Sequence, residues 1–169
     1  MKSSLLQHPF DPIVNSETKV LILGSFPSIK SFEDDFYYAH PRNQFWPIIA
    51  SIFDVSLPNN AAKRDFALQK GFGLWDTYGA LSRASGNSSD TNLKDLQVND
   101  FEDFLEQYPN IKYILFTGKK AQDGYEKHFN HLNVKRILLP STSPAYAAMK
   151  REEKETHYRI IKEILENDL

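Results

Sequence analysis

Cysteine is absent from all 169 residues. That removes disulfide bridges, thiolate zinc sites, iron–sulfur clusters and a cysteine nucleophile together. No apolar stretch approaches the ~18 residues that a spanning helix needs, and no basic-plus-apolar leader is visible. A reducing cytoplasm is the expected home. Neither sign of charge dominates, with 20 basic against 22 acidic side chains. What the chain does have is ordinary: 41% apolar, 13% aromatic and 25% charged residues. This excludes disorder over most of the chain and a collagen-like polymer. The length suits one domain, expected over residues 1–169, with a core of useful size.

The charge is unevenly spread. Ile111 to Arg151 carries eight basic and two acidic side chains, a net +6, while the rest of the chain is −8. Such a segment is either a phosphate-facing surface or a set of solvated lysines on helix faces.

Three short, continuous apolar runs read as strands buried on both faces: Lys19 to Gly24, Ile111 to Phe116 and Val134 to Leu139. Phe72 to Trp75 is a fourth candidate. Helical patterns lie between them: Pro47 to Phe53, Ala61 to Lys70, a segment from an Asn99 cap to Tyr108, Gly118 to Phe129, and Glu152 to Leu165. The last turns Tyr158, Ile161 and Leu165 inward and shows solvent a charged face. Ser82 to Asn92, rich in Ser, Asn and Gly, reads as a long loop. The predicted fold class is α/β, a three-layer α/β/α arrangement around a short, mainly parallel sheet.

Ligands in such sheets bind beyond the carboxyl ends of the strands. There the sequence places Gly24-Ser25-Phe26-Pro27-Ser28, then Phe36 to Trp46, then Asp76-Thr77-Tyr78, Thr117-Gly118-Lys119-Lys120 and Ser141-Thr142-Ser143-Pro144-Ala145. Flat aromatics with a few placed donors suit a planar heterocycle, and hydroxyls with loop amides suit phosphate. The Gly24 segment is neither a Walker loop nor a G-x-G-x-x-G dinucleotide loop, and no serine sits in a G-x-S-x-G elbow. His128 and His131 lack a carboxylate pattern to complete a metal site.

Ala39-His40-Pro41-Arg42-Asn43-Gln44-Phe45-Trp46 resembles the A-H-P-x-N-x-F-W segment of mismatch-specific uracil/thymine-DNA glycosylases, in the uracil-DNA glycosylase superfamily. The order of motifs over residues 19–165 is similar as well. A strand with a G-x-x-P loop precedes that segment; Gly71 to Asp76, Gly118 to Ala121 and Leu139 to Pro144 follow it. The Tyr-Tyr-Ala-His-Pro-Arg-Asn version, with Gly-Ser-Phe-Pro-Ser and Leu-Trp-Asp, looks like the hypoxanthine-DNA (deoxyinosine) glycosylase branch. Phe26 departs from the mismatch uracil enzymes, which have at this position an Asn that holds the attacking water. Uracil-specific relatives have an Asp. Phenylalanine does neither, and the resemblance moves that burden to Asn43.

The resemblance therefore implies a monofunctional glycosylase that flips a deaminated base, most readily hypoxanthine, out of DNA and hydrolyses its N-glycosidic bond. Asn43 would orient water or donate to the departing base; its alternative role is a plain helix cap. Gly24, Ser25, Phe26, Tyr38, His40 and Asp76 would line the base pocket. Phe26 and Tyr38 would stack on the base or merely fill the core, and Asp76 would read the base edge or cap a turn. His40 would act as an acid–base catalyst, or would lie behind the pocket or touch DNA. Ser141, Thr142 and Ser143 would grip flanking phosphates, with Pro144 and Ala145 as a small wedge in the vacated gap. Lys119 and Lys120, with Lys150 and Arg151, would add phosphate attraction. No cofactor or metal is implied, no Schiff-base lysine matches, and a monomer is expected, with damaged DNA as partner. Excision of uracil or xanthine, a nucleic-acid-binding module without chemistry, and a small-metabolite binder are the alternatives.

Overall fold

The computed structural model describes residues 6–7, 11–26, 29–34, 36–83, 93–144 and 146–167. In chain order its elements are β1 (Leu6–Gln7), β2 (Val20–Gly24), α1 (Ile29–Asp34), α2 (Phe45–Phe53), α3 (Asn60–Lys70), β3 (Phe72–Asp76), β4 (Tyr78–Arg83), β5 (Leu93–Val98), α4 (Phe101–Gln107), β6 (Tyr113–Thr117), α5 (Lys119–Phe129), β7 (Lys135–Leu139) and α6 (Arg151–Asn167).

The four apolar runs form one parallel sheet in the order β3-β2-β6-β7. Because successive side chains point to opposite faces, each central strand feeds two cores. Val20 and Ile22 face one way, with Phe72, Leu74 and Leu115, and meet α2, α3 and α6 through Ile48, Ile52, Ala67, Tyr158 and Ile161. Leu21 and Leu23 face the other way, with Ile114 and Phe116, and meet α4 and α5 through Phe101, Phe104, Ala121 and Tyr125. Helices on both faces of a parallel sheet are the three layers expected. Among the described residues no helix is long and apolar enough to cross a membrane.

Several local expectations shift. Helix α4 is capped by Asp100, whose side chain accepts from the Asp103 amide at 3.1 Å, and not by Asn99. Asn99 instead spends its side-chain amide on the Asp76 carbonyl at 2.8 Å. Pro47 is the third residue of α2 rather than the first; the first-turn amides of a helix have no partner inside it, so proline is tolerated there as well. Ser82 and Arg83 lie in β4 and not in a loop, since β4 pairs with β1 and β5 in a second, antiparallel sheet. The remainder of that stretch, 84–92, lies outside the described residues.

Candidate active site

Three parallel strands end side by side. Gly24 closes β2 and is in register with Asp76 at the end of β3. Thr117 closes β6, the other neighbour of β2. A Cβ built on Gly24 would lie 2.6 Å from Asp76 Oδ1, 3.1 Å from the Tyr38 hydroxyl and 3.5 Å from Thr117 Oγ1. Glycine is therefore what lets a carboxyl and a phenol converge on the backbone here. We expect Gly24→Ala to cost about 1–3 kcal/mol of stability through overpacking, and base release to fall with it. A denaturant midpoint and an excision assay on the same preparation check this.

Tyr38 is held at φ 56, left-handed backbone that a bulky side chain rarely adopts and that costs about 1–3 kcal/mol. Two contacts hold it there. Its ring stacks on Phe45, with centroids 4.2 Å apart and planes at 19°, and its hydroxyl lies 3.0 Å from Thr117 Oγ1. Thr117 donates its single proton to the Leu23 carbonyl at 3.4 Å, so Tyr38 donates to Thr117. Burial, reinforced by the Asp76 charge, holds the Tyr38 phenol protonated far above its ordinary range. The floor thus combines a buried carboxyl group, Asp76, with a neutral hydroxyl whose oxygen retains acceptor capacity.

The segment before α2 is a self-bonded turn. The Asn43 amide donates to the His40 carbonyl at 2.9 Å, and the Arg42 amide donates to His40 Nδ1 at 3.1 Å. In the neutral ring that bond leaves the His40 proton on Nε2. Asn43 Oδ1 accepts from the Phe45 amide at 2.9 Å, a turn two residues long that leads into α2, whose N-cap is Gln44 and not Asn43. That bond engages one lone pair of the oxygen and none of the Nδ2 protons.

Two bonds stitch this turn to the loop after β7. The Gln44 amide donates to the Thr142 carbonyl at 3.0 Å. Lys154, expected on the solvent face of α6, is 1% exposed, and its ammonium donates to Gln44 Oε1 and to the Tyr146 carbonyl, both at 2.9 Å. Its place four residues before Tyr158 puts it on the buried stripe. Burial lowers its pKa. Tyr158 ties the same loop to α6, donating to the Pro140 carbonyl at 2.5 Å.

The predicted residues therefore sort into groups. Gly24, Tyr38 and Asp76 come together, and Thr117, expected at the end of its strand without a role of its own, joins them. Ser25 is half-buried beside them and its carbonyl accepts from Tyr78. Phe26 is 8% exposed, mostly within the protein. Asn43 is linked to Tyr38 through Phe45 and to Thr142 through Gln44. In the loop, Thr142 is buried, Ser143 is half-buried, Pro144 is exposed, and Ser141 Oγ accepts from the Ser143 amide at 3.1 Å. Pro27, Ser28 and Ala145 lie outside the described residues.

The basic segment divides in two. Lys119 and Lys120 open α5 beside Gly118, which meets Ser141 of the loop. Lys112 and Lys135 lie at the opposite, amino end of the sheet. Lys119 is 75% exposed and reaches Asp123 at 3.1 Å, while Arg151 reaches Glu155 at 3.3 Å. Exposed pairs of this kind are weak enough for a phosphate to replace.

A doubly covered parallel sheet with polar groups gathered at its carboxyl ends is an α/β ligand-binding architecture. The chain belongs to the uracil DNA glycosylase superfamily, whose family model matches residues 12–166. The enzyme class implied by Ala39 to Trp46, a DNA glycosylase, stands with it. The chain is 38% identical over 138 residues to a hypoxanthine DNA glycosylase of Methanosarcina barkeri, covering 80% of this chain and 85% of that one. It is 32% identical over 143 residues to a hypoxanthine DNA glycosylase of Methanosarcina acetivorans, covering 83% and 89%. The solution NMR structure of a protein from Methanosarcina acetivorans, named as a candidate uracil DNA glycosylase, superposes with a TM-score of 0.78 at 30% identity, over 94% of this chain and 99% of that one.

Proposed function

We propose that the protein removes hypoxanthine from deoxyinosine in DNA by hydrolysis of the N-glycosidic bond. The observation that carries this reading is the convergence of Asp76 and Tyr38 on the bare backbone of Gly24. Deamination of adenine turns a ring nitrogen that accepts a hydrogen bond into an N–H that donates one. A buried carboxyl oxygen meets that new proton and would face a lone pair on adenine itself. A site built this way rejects the undamaged base because its own polar group would be left unpaired. Relatives that carry the name hypoxanthine DNA glycosylase support the same substrate. So does Phe26, which cannot hold the water that an Asn holds in mismatch uracil enzymes.

In the reaction the C1′–N bond breaks and its electron pair leaves with the base. Water adds to the sugar carbon, and its proton balances the charge on the departing ring. The Nδ2 protons of Asn43 stabilise that developing charge. Ser141, Thr142 and Ser143 hold flanking phosphates, aided by Lys119 and Lys120, and no cofactor takes part.

Single-turnover release from duplexes carrying one deoxyinosine, uracil or xanthine tests the reading. Hypoxanthine is expected to leave fastest. Preferential uracil release would overturn the assigned substrate, and no release from any duplex would overturn the enzyme.

A further inference from the structure

Two large hydrophobic side chains stand well out to solvent among the described residues, Leu138 at 45% and Tyr146 at 40%. Leu138 belongs to β7, an edge strand, and the alternation of the strand accounts for it. Tyr146 is different, because its exposure is built. Its amide donates to the Ser143 carbonyl at 3.0 Å and closes a turn. Its carbonyl accepts from the buried Lys154 ammonium at 2.9 Å. The same ammonium lies 5.1 Å from the centroid of its ring. Lys154 meets no carboxylate among the described residues, and its other hydrogen bond goes to Gln44, beside Asn43. A buried cation with only neutral partners is costly to keep, and here it seats an exposed aromatic ring next to the phosphate-gripping loop. Fixed aromatic rings at a nucleic-acid surface recognise the flat face of a base, with no need to read its edge.

We propose that Tyr146 is a nucleobase-stacking residue, and that its ring covers a base left without a neighbour when the target nucleotide leaves the duplex. Lys154 is its positioning residue. The proposal rests on the DNA reading above. It also supplies bulk that the predicted wedge, Pro144 with Ala145, does not have. A rigid ring already fixed on the protein side loses little freedom when a base covers it.

The test uses a duplex with an abasic-site analogue and fluorescent 2-aminopurine opposite the gap. Binding of the unaltered protein is expected to quench the fluorescence. Tyr146→Ala is expected to lose most of that quenching and to bind roughly 5- to 150-fold more weakly, the scale of one stacked base. Tyr146→Phe, which keeps the ring, is expected to restore both. Lys154→Met is expected to diminish the quenching while the ring is still present; should that variant fail to fold, the two Tyr146 variants decide. Tyr146→Ala that binds and quenches like the unaltered protein would overturn the proposal, as would an unaltered protein that binds without quenching. Tyr146-dependent quenching by a protein that releases no base would leave the stacking in place and remove the excision reading alone.

Discussion

Replacing Asn43 by Asp is expected to slow single-turnover excision by roughly 10²–10³ while leaving the thermal midpoint within a few degrees of the unaltered protein. The magnitude is that of one lost preorganised donor in a catalytic site. The separation of rate from stability follows from how Asn43 is bonded. Its Oδ1 accepts from the Phe45 amide at 2.9 Å and supports the start of α2. An aspartate keeps that acceptor and discards the Nδ2 protons. Asn43→Ala discards both, so it should show a comparable rate loss together with about 1 kcal/mol of destabilisation, the usual net cost of one lost hydrogen bond. Matched excision time courses and melting curves for the two variants check this. Near-normal excision by either variant would move catalysis away from Asn43.

Stability is expected to collapse above about pH 10. Tyr37, Tyr38 and Tyr158 are all held well above the ordinary phenol range, in each case chiefly by burial, and Tyr125 is pushed up to about 12. A raised phenol pKa means that the unfolded chain gives up its proton first. Below pH 10 neither state is ionised and the stabilisation is complete. Above it, the unfolded state gains by ionising while the folded state does not, so stability falls with rising pH. Each such tyrosine contributes a slope of about 1.4 kcal/mol per pH unit, and three of them about 4. Lys63 and Lys154, whose pKa values are lowered by burial, act with the opposite sign, but only until the free lysines of the unfolded chain deprotonate near 10.5. Denaturant midpoints measured from about pH 9 to about pH 11 should drop steeply, and tyrosinate absorbance should rise together with unfolding. Tyr158→Phe should remove one group's share of the slope. A midpoint that stays flat across this range would contradict the burial assigned to these rings.

The parallel sheet was legible because its strands announce themselves locally. Val20 to Leu23 and Tyr113 to Phe116 must be apolar at every position when helices cover both faces. The second sheet gave no such signal. Leu93-Lys94-Asp95-Leu96-Gln97-Val98 is a mixed run, and its pairing with β4 is set by tertiary partners rather than by pattern. At the site, Tyr38, Asn43 and Asp76 were marked by the family resemblance. Thr117 was not, because a threonine at the end of a buried strand looks like any other β-branched residue. Lys154 was hidden for a related reason: a lysine among Arg151-Glu152-Glu153 reads as solvated charge. Only its four-residue spacing from Tyr158 hinted otherwise. Composition along α6 points outward while geometry points inward, and a buried ammonium can follow geometry only when acceptors such as Gln44 and the Tyr146 carbonyl are waiting.

The bond between Lys154 and Gln44 spans 110 positions of the chain and joins the turn before α2 to α6. All four parallel strands are complete by Leu139, yet the turn that carries Asn43 is tied down by a helix made afterwards. Until α6 has been made, the sheet face that Tyr158 and Ile161 cover and the Gln44 side chain both lack the partners that this helix supplies. Closure across so long a separation is an entropically late event in folding. The helix that completes this core is thus also the one that fastens the turn before α2, so the two are finished together.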